Sequence, residues 1–275
     1  MRLLKKRLSF CIAMAIVLLL SLISLMPFYM MLVMGTYKTA DLYTGAKLWF
    51  GDYLSQNLET LSRIPMMRYY TNSLKISVSC TVINIAITSM LGFAVAKYRF
   101  HLKKAIHRFI MLTLMIPSQL TLVGFYLEMS ALGWTNTHLP LIIPPAATSF
   151  SAFWMIQYTT SAIPGEVLES ARIDGCSEWQ VFTRIALPFM RPACVTLALM
   201  TFLSSWNNLL MPTIILSDNK LYPITLGIKE LASVYFTDVG AQVLGLSLAA
   251  LPILVLFIIF SKNLIDGLAV GAVKG

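Results

Sequence analysis

The side chains that could do chemistry concentrate in one polar stretch, residues 164–192, which reads PGEVLESARIDGCSEWQVFTRIALPFMRP between two long apolar segments. Glu166, Glu169 and Asp174 supply carboxylates, and the stretch carries too many charges to cross a bilayer. No nucleophile and base are placed together with these acids, so we predict no active site in this stretch. A solvated charged face is the alternative for Glu169 and Asp174.

The pattern of this stretch predicts a helix, a sharp turn and a second helix. Pro164 suits the first helical position, and Gly175 suits the left-handed position just past the end of a helix. Ser177 and Gln180 have the spacing of a capping box that starts the second helix. Pro188 is predicted to break that helix because it lacks a backbone N–H.

The spacing of several residues resembles the EAA loop of ABC importer permeases. The matching positions are Glu169, Ser170, Ala171, Gly175, Ile185, Leu187 and Pro188. Ser170 stands where the family pattern has alanine, and its small hydroxyl should fit nearly as tightly. The carbohydrate branch of the family is resembled by Ala171–Gly175 (ARIDG), Ser205–Asn208 (SWNN) and the ending Gly267–Gly275 (GLAVGAVKG).

This resemblance implies a role for each residue of the loop. In the family, the EAA loop docks a short coupling helix into a cleft on a separate ATP-binding subunit. Ala171 and Gly175, with Asp174 between them, would allow close docking, and Glu169 would cap or pair with a basic group. The positions in the second helix would pack under the bundle and stiffen the joint to the fifth span; they are Ile185, Leu187 and Pro188.

The resemblance also implies partners and a location. The expected partners are a second homologous permease chain in a heterodimer, two ATP-binding subunits, an extracytoplasmic solute-binding protein and a sugar or oligosaccharide. ATP and Mg²⁺ would be bound by the partner ATPase, because this sequence has no phosphate-binding loop of the pattern Gly-x4-Gly-Lys-Ser/Thr. Gly240 and Gly245 have the spacing of its two glycines, but Leu246 follows instead of lysine. The chain would lie in the bacterial cytoplasmic membrane, with its tail touching the ATPase.

The composition independently predicts an integral membrane protein. Hydrophobic residues make up 57% of the chain and charged residues 12%, and the mean hydropathy is +0.75. The formal charge of +9 comes from basic residues in short runs beside apolar segments, as the positive-inside rule places them. Membrane orientation therefore explains the charge better than nucleic-acid binding does.

The apolar segments predict an all-α bundle of six transmembrane helices with both termini in the cytoplasm. The predicted spans are 9–34, 71–96, 106–129 interrupted at Pro117–Gln119, 138–158, 193–216 and 241–260. The first apolar run is too long for the core of a cleaved signal peptide, so we expect a retained span. We divide the chain into residues 1–69, holding the first span and an outer loop, and a transport core at residues 70–275.

Polar side chains inside these spans are candidates for a substrate path. Asn84 lies on a stripe of small and hydroxyl residues along one face of the second span, which suits helix packing or a polar path. Gln119 follows the proline in the third span. Trp206, Asn207 and Asn208 fall near the middle of the predicted fifth span, where they would contact substrate or serve packing or a hinge.

No metal centre or catalytic set is predicted, so we do not expect an enzyme. The four cysteines show no paired spacing and are interpreted as free thiols; they are Cys11, Cys80, Cys176 and Cys194. The three histidines lie at the edges of the spans without acids placed to serve them.

Three alternative functions stay open from sequence alone. A secondary transporter would usually need a buried ion-coupling acid, and Glu128, at the end of a span, is the only acid within the predicted spans. A membrane scaffold could use the polar loop merely to recruit a soluble partner. An ABC importer permease for a solute other than sugar would share the loop, so the carbohydrate prediction rests on Trp206–Asn208 and the C-terminal tail.

Overall fold

The computed structural model of the chain describes the backbone of residues 2–229, 231 and 238–272, and the side chains of those residues except 2–6, 8, 9, 118 and 261–272. All regular secondary structure in this backbone is helical, which confirms the all-α prediction. The α-helices are α1 (Arg2–Met34), α2 (Thr39–Leu42), α3 (Leu54–Ser62), α4 (Met66–Lys97), α5 (Lys103–Leu114), α6 (Leu122–Ala131), α7 (Leu139–Ile142), α8 (Ser149–Ala162), α9 (Gly165–Ile173), α10 (Glu178–Gln180), α11 (Leu187–Trp206), α12 (Leu210–Ile215), α13 (Ile224–Lys229) and α14 (Val239–Ala272). Short 3₁₀ helices span Ser118–Thr121, Pro144–Ala147 and Asn219–Leu221, and a π-helix spans Val181–Ala186.

The described helices provide five of the six predicted spans, and a bent pair of helices provides the sixth if it crosses the bilayer as one span. Five segments are long and apolar enough to cross a bilayer: Phe10–Met34, Met66–Lys97, Leu139–Ala162, Glu178–Trp206 and Val239–Phe260. The sixth is the pair Lys103–Leu114 and Gln119–Ala131, whose two helices meet at 91°. The bend lies at Pro117, as predicted, because proline cannot donate to the helical hydrogen-bond ladder.

The contacts group the chain into two compact units. The first consists of Met1–Met66 with Gly227–Leu251, and the second of Met67–Leu226 with Pro252–Gly275. In the first unit, the buried Asn57 amide donates hydrogen bonds to the carbonyls of Gly35 and Tyr37 at 2.9 and 3.0 Å. The division of the chain at residues 69 and 70 stays a prediction.

The second unit contains every predicted site residue. Its largest core joins α4, α8, α9, the π-helix and α11 through the buried side chains of Phe93, Met155, Leu168, Val181, Met190 and Leu197. Close approach of α4 to α8 requires Gly92, because a Cβ atom there would lie 2.8 Å from Cβ of Met155. The polar loop is therefore built into the helical bundle through its own apolar residues.

The prediction that Pro188 breaks the second loop helix is wrong. Helical backbone continues from Glu178 to Trp206, and Pro188 lies in the first turn of α11, directly after the π-helix. The change from π to α hydrogen bonding restarts the ladder at Leu187, so the missing N–H of Pro188 falls where it is tolerated. The loop is thus joined to α11 by one helical column.

The predicted continuous fifth span at 193–216 is also wrong. α11 ends at Trp206 and α12 begins at Leu210, so Asn207 and Asn208 lie at a helix break rather than mid-helix. The amide oxygen of Asn208 accepts a hydrogen bond from the backbone N–H of Met211 at 3.2 Å. Asparagine side chains compete in this way with helical backbone bonds, which explains the break.

Candidate functional site

The turn between α9 and α10 has the predicted geometry. Gly175 adopts φ +81°, and its N–H donates to the carbonyl of Arg172 at 3.1 Å while Cys176 N–H donates to that of Ala171 at 3.0 Å. These two bonds form a Schellman motif, which favours glycine at the left-handed position. Pro164 is the N-cap of α9, one position before the predicted one.

The capping box at the start of α10 is confirmed. The Ser177 N–H donates to the Gln180 side-chain oxygen at 2.8 Å, and the Gln180 N–H donates to the Ser177 hydroxyl oxygen at 3.4 Å. Both helix ends at the corner are therefore fixed by hydrogen bonds within the loop. The corner is a preformed surface.

Side chains of the loop separate into an inner and an outer set. Leu168 and Ala171 are buried in the bundle core, and Ile185 and Leu187 pack against it. The outer set is exposed and consists of Glu169, Ser170, Ile173, Asp174, Gly175 and Trp179. Ala171, which we expected at the docking face, is only 4% exposed, so its small size serves packing inside this chain.

Two members of this outer set are large, apolar and exposed. Ile173 is 86% exposed and Trp179 is 64% exposed, on either side of the Gly175 corner. We call Ile173, Gly175 and Trp179 the tip surface. No role was predicted for Ile173 or Trp179. Ile173 lies off the helix face that Leu168 and Ala171 bury, so the helical periodicity of α9 already indicates that its side chain is exposed.

A polar cluster at the corner was not predicted. Glu178 accepts hydrogen bonds from Arg172 Nε at 2.7 Å, from Arg172 Nη2 at 3.2 Å and from the hydroxyl of Tyr98, the residue after α4. The Arg172 guanidinium also lies 5.8 Å from the centroid of the Tyr98 ring. Burial, and then the bond to Glu178, raise the pKa of Tyr98, so its hydroxyl stays protonated and donates.

The polar stripe of α4 is buried, as expected of a face turned from lipid. Ser77, Asn84 and Thr88 are fully or almost fully buried. The Asn84 amide nitrogen donates to the carbonyl of Ala146 at 3.0 Å, and its amide oxygen accepts from the Thr201 hydroxyl at 3.3 Å. Of the two readings left open for Asn84, these contacts favour packing over a polar path.

Three of the predicted path residues meet at an open cavity. This cavity of about 470 Å³ is lined by Gln119, Leu122, Ser204, Asn207, Asn208, Leu209, Leu210 and Met211. A neighbouring cavity of about 350 Å³ shares Ser204 and Asn208 and adds hydroxyls from Thr148, Ser151 and Thr201. The polar groups lining both are amides and hydroxyls.

Trp206 is not among the cavity residues. Its side chain is 1% exposed, and its ring stacks on Phe202 with the centroids 5.5 Å apart and contacts Tyr70 at 6.2 Å. Trp206 therefore packs in the core in this structure, and its role as a path residue stays a prediction. An indole of this size packs in a core wherever a helix end offers room.

The residues that the structure describes contain no group of three His, Cys, Asp or Glu placed to hold a metal ion. Cys11, Cys80, Cys176 and Cys194 are free thiols, as predicted.

The family model for the inner membrane component of binding-protein-dependent transport systems matches residues 88–269. The chain belongs to this family. As such a component it is a multi-pass inner-membrane transport protein, and the matched region includes the whole polar loop and all residues that line the cavity of about 470 Å³.

Relatives of this transport component resemble it over most of its length. The lactose transport system permease protein LacG of Rhizobium radiobacter is 31% identical over 272 residues, covering 98% of each chain. The arabinooligosaccharides transport system permease protein AraQ of Halalkalibacterium halodurans is 33% identical, covering 75% of this chain and 74% of the relative. The trehalose/maltose transport system permease protein MalG of Thermococcus litoralis is 27% identical, covering 94% of each.

A solved structure supports the fold of the transport component. A chain of a bacterial ABC transporter involved in the import of the acidic polysaccharide alginate superposes with a TM-score of 0.80, covering 94% of this chain and 97% of that one. The two sequences are 18% identical, so this likeness supports the architecture.

Proposed function

We propose that this chain is one permease of an ATP-driven importer for a sugar or oligosaccharide, and that it couples to a separate ATPase through the polar loop. Membership of the binding-protein-dependent family supports a transport role, and the names of the relatives, which transport lactose, arabinooligosaccharides and trehalose or maltose, support the substrate class. Its partners in this proposal are a second homologous permease, two ATP-binding subunits that carry ATP and Mg²⁺, and an extracytoplasmic solute-binding protein.

The tip surface is the observation that carries the coupling role. Ile173 and Trp179 expose apolar area beside Gly175 on a corner that hydrogen bonds hold rigid. Exposed large apolar groups on a preformed surface are typical of protein–protein contacts, and aromatic anchors dominate their affinity. Glu169 and Asp174 border the tip and can pair with basic groups of the ATPase.

The joint between the loop and α11 supports transmission of force. The loop continues through the π-helix into α11 without a break, and α11 ends at Trp206, directly before Asn207 at the cavity. Movement of a docked tip would therefore displace the end of α11. Alternating access in this proposal is a change between two packed arrangements of the bundle, biased by ATP binding and hydrolysis on the partner.

The chemistry of the cavity suits a neutral, hydroxyl-rich solute. Gln119, Asn207 and Asn208 offer both donors and acceptors, and Ser204 adds a hydroxyl. Amides and hydroxyls can exchange hydrogen bonds with sugar hydroxyls without burying an unpaired charge. In this proposal these residues form this chain's part of the translocation path.

In this proposal the polar loop and both termini lie on the cytoplasmic side of the membrane. The basic run between α4 and α5 flanks the same side, which agrees with the positive-inside rule. The C-terminal tail is proposed to touch the ATPase; its residues 273–275 lie outside the described residues. Unchanged transport and ATPase coupling after deletion of residues 271–275 would refute the tail contact.

Affinity purification of the tagged chain from gently solubilised membranes tests the coupling proposal. We expect an ATPase and a second permease to co-purify with the parent chain. Trp179→Ala and Ile173→Ser should weaken retention of the ATPase by about tenfold or more, since truncated anchors commonly cost this much. The matched control is Trp49→Ala, which removes a tryptophan that is 79% exposed in the first unit and should retain the ATPase.

Energy dependence separates the importer from an ion-driven transporter. Uptake into vesicles should follow internal ATP and persist when the proton gradient is collapsed. Recovery of the chain without any ATPase, or uptake that follows the proton gradient, would overturn the proposal.

A further inference from the structure

The polar cluster at the corner joins three elements of the second unit. Tyr98 follows the last residue of α4, Arg172 lies in the last turn of α9, and Glu178 begins α10. Glu178 receives both nitrogens of Arg172, at 2.7 and 3.2 Å, and the Tyr98 hydroxyl. One carboxylate thus connects the end of a membrane-spanning helix to both helices of the loop.

Aromatic packing fixes the Tyr98 ring in this position. The ring meets Phe93 edge-on with the centroids 5.5 Å apart, and Phe93 contacts Phe182 of the π-helix at 5.5 Å. The Arg172 guanidinium lies over the same ring, 5.8 Å from its centroid. A ring held by both contacts presents its hydroxyl in one place, so the hydrogen bond to Glu178 is preorganised.

A second tie holds the same end of α4 to the start of the loop. The Lys97 ammonium donates to the carbonyl of Ile163 at 2.6 Å and to that of Thr160 at 3.3 Å. Both carbonyls belong to the end of α8 and the residue after it, just before α9 begins. The end of α4 therefore makes hydrogen bonds both to the segment before α9, through Lys97, and to the segment after it, through Tyr98.

Further along α4, a hydrogen bond joins this helix to α11, which ends beside the cavity of about 470 Å³. Asn84 of α4 accepts from Thr201 of α11 and donates to Ala146 before α8. A displacement of the α4 end would thus reach the Thr201 side of the cavity of about 350 Å³. This route is distinct from the helical column that runs from the loop through Pro188 into α11.

We propose that Tyr98, Glu178 and Arg172 form a latch that transmits displacement of the docked loop into α4, as a second mechanical route beside α11. Tyr98 and Glu178 are positioning residues in this arrangement, since they act through α4. The inference rests on the proposed coupling function of the loop.

The test uses the intact transporter, with its ATPase and partner permease, reconstituted in vesicles. Tyr98→Phe removes one hydroxyl and keeps the ring. We expect it to leave ATPase retention and basal ATP hydrolysis unchanged and to lower the solute transported per ATP hydrolysed by about threefold or more. Tyr158→Phe, at another tyrosine packed against the same core, is the matched control and should leave this ratio unchanged.

A double-mutant cycle identifies the latch as a unit. If Tyr98 and Glu178 act through one bond, Tyr98→Phe combined with Glu178→Gln should lower the ratio no further than the stronger single variant. The thermal unfolding midpoint of the purified chain should show the same non-additivity. If the ATPase is retained but the two substitutions have additive effects, the latch proposal is wrong. It is also wrong if the ATPase is retained and Tyr98→Phe transports as much solute per ATP as the parent. A parent preparation that contains no ATPase would overturn the proposed function itself.

Discussion

The Thr201 hydroxyl donates a hydrogen bond to the amide oxygen of Asn84 across 3.3 Å, and this bond joins α11 to α4 inside the bundle. The other end of the Asn84 amide donates to the carbonyl of Ala146. Ala146 lies in a 3₁₀ helix rich in proline, whose carbonyls cannot all be satisfied within the helix. One side chain therefore satisfies polar groups of two other segments at the level of the cavities.

We predict that Asn84→Ala destabilises the chain by about 1–3 kcal/mol, because it leaves the buried carbonyl of Ala146 without this hydrogen bond and removes the bond to the half-buried Thr201. Thermal unfolding in detergent measures the change. Val82→Ala, on the exposed face of α4, is the control and should shift the midpoint far less. Equal shifts for the two variants would show that Asn84 contributes no more than a lipid-facing side chain.

Gly92 should tolerate no larger residue. A Cβ atom at this position would lie 2.8 Å from Cβ of Met155 and 2.9 Å from its backbone carbonyl carbon, so α4 and α8 would have to separate. We predict that Gly92→Ala costs about 1–3 kcal/mol of unfolding free energy, as overpacking commonly does. Gly124→Ala is the matched control: no atom lies within 4 Å of a Cβ there, and alanine favours a helix. A stable Gly92→Ala protein would mean that the two helices pack less closely than described.

Local rules predicted the loop well because its shape is determined locally. Gly175, Ser177 and Gln180 fix helix ends by hydrogen bonds to residues a few positions away, and these bonds leave a readable spacing. The buried face of α4 was predictable for the same reason, since helical periodicity aligns Ser77, Asn84 and Thr88.

Features that depend on contacts between distant segments were not predictable. The break rule for proline failed at Pro188 because a π-helix before it restarts the ladder, which composition does not reveal. Trp206 and Asn208 are neighbours in sequence, yet one is in the core and the other lines the cavities, since the helix ends between them. Tyr98 meets Glu178 across 80 positions, and no spacing encodes such a pair.

Because Gly175 has a left-handed backbone conformation, we predict that different substitutions there lower transport to different extents. Any side chain with a Cβ atom is strained at φ +81°, by about 1–2 kcal/mol, whereas asparagine adopts this region more readily than alanine. We expect Gly175→Ala to lower transport more than Gly175→Asn, measured as solute uptake by cells with equal amounts of the protein in the membrane. Gly165→Ala is the control, because a Cβ there meets no atom within 4 Å and the residue has no positive φ. The reverse order of the two Gly175 variants would place the effect in the docked interface instead of the backbone.

The two asparagines at the end of α11 should separate stability from substrate handling. The Asn208 side-chain oxygen accepts a hydrogen bond from the Met211 N–H in the first turn of α12, and its backbone carbonyl accepts one from the Thr225 hydroxyl at 3.1 Å. Asn208→Ala removes the first of these bonds and should therefore lower the unfolding free energy by about 1 kcal/mol, as the loss of a side-chain acceptor for a free N–H of the first helical turn does.

Asn207 is exposed at the cavity, where its side chain can meet solute without supporting the fold. We expect Asn207→Ala to leave the thermal midpoint near that of the parent while raising the solute concentration that gives half-maximal uptake. Asn207→Gln retains the amide, so its half-maximal solute concentration should lie between those of the parent and Asn207→Ala. Asn207 and Asn208 share the cavity but differ in their hydrogen bonds. If Asn207→Ala and Asn208→Ala both lower the stability, both residues support the fold. The polar lining of the path would then consist of Gln119 and Ser204.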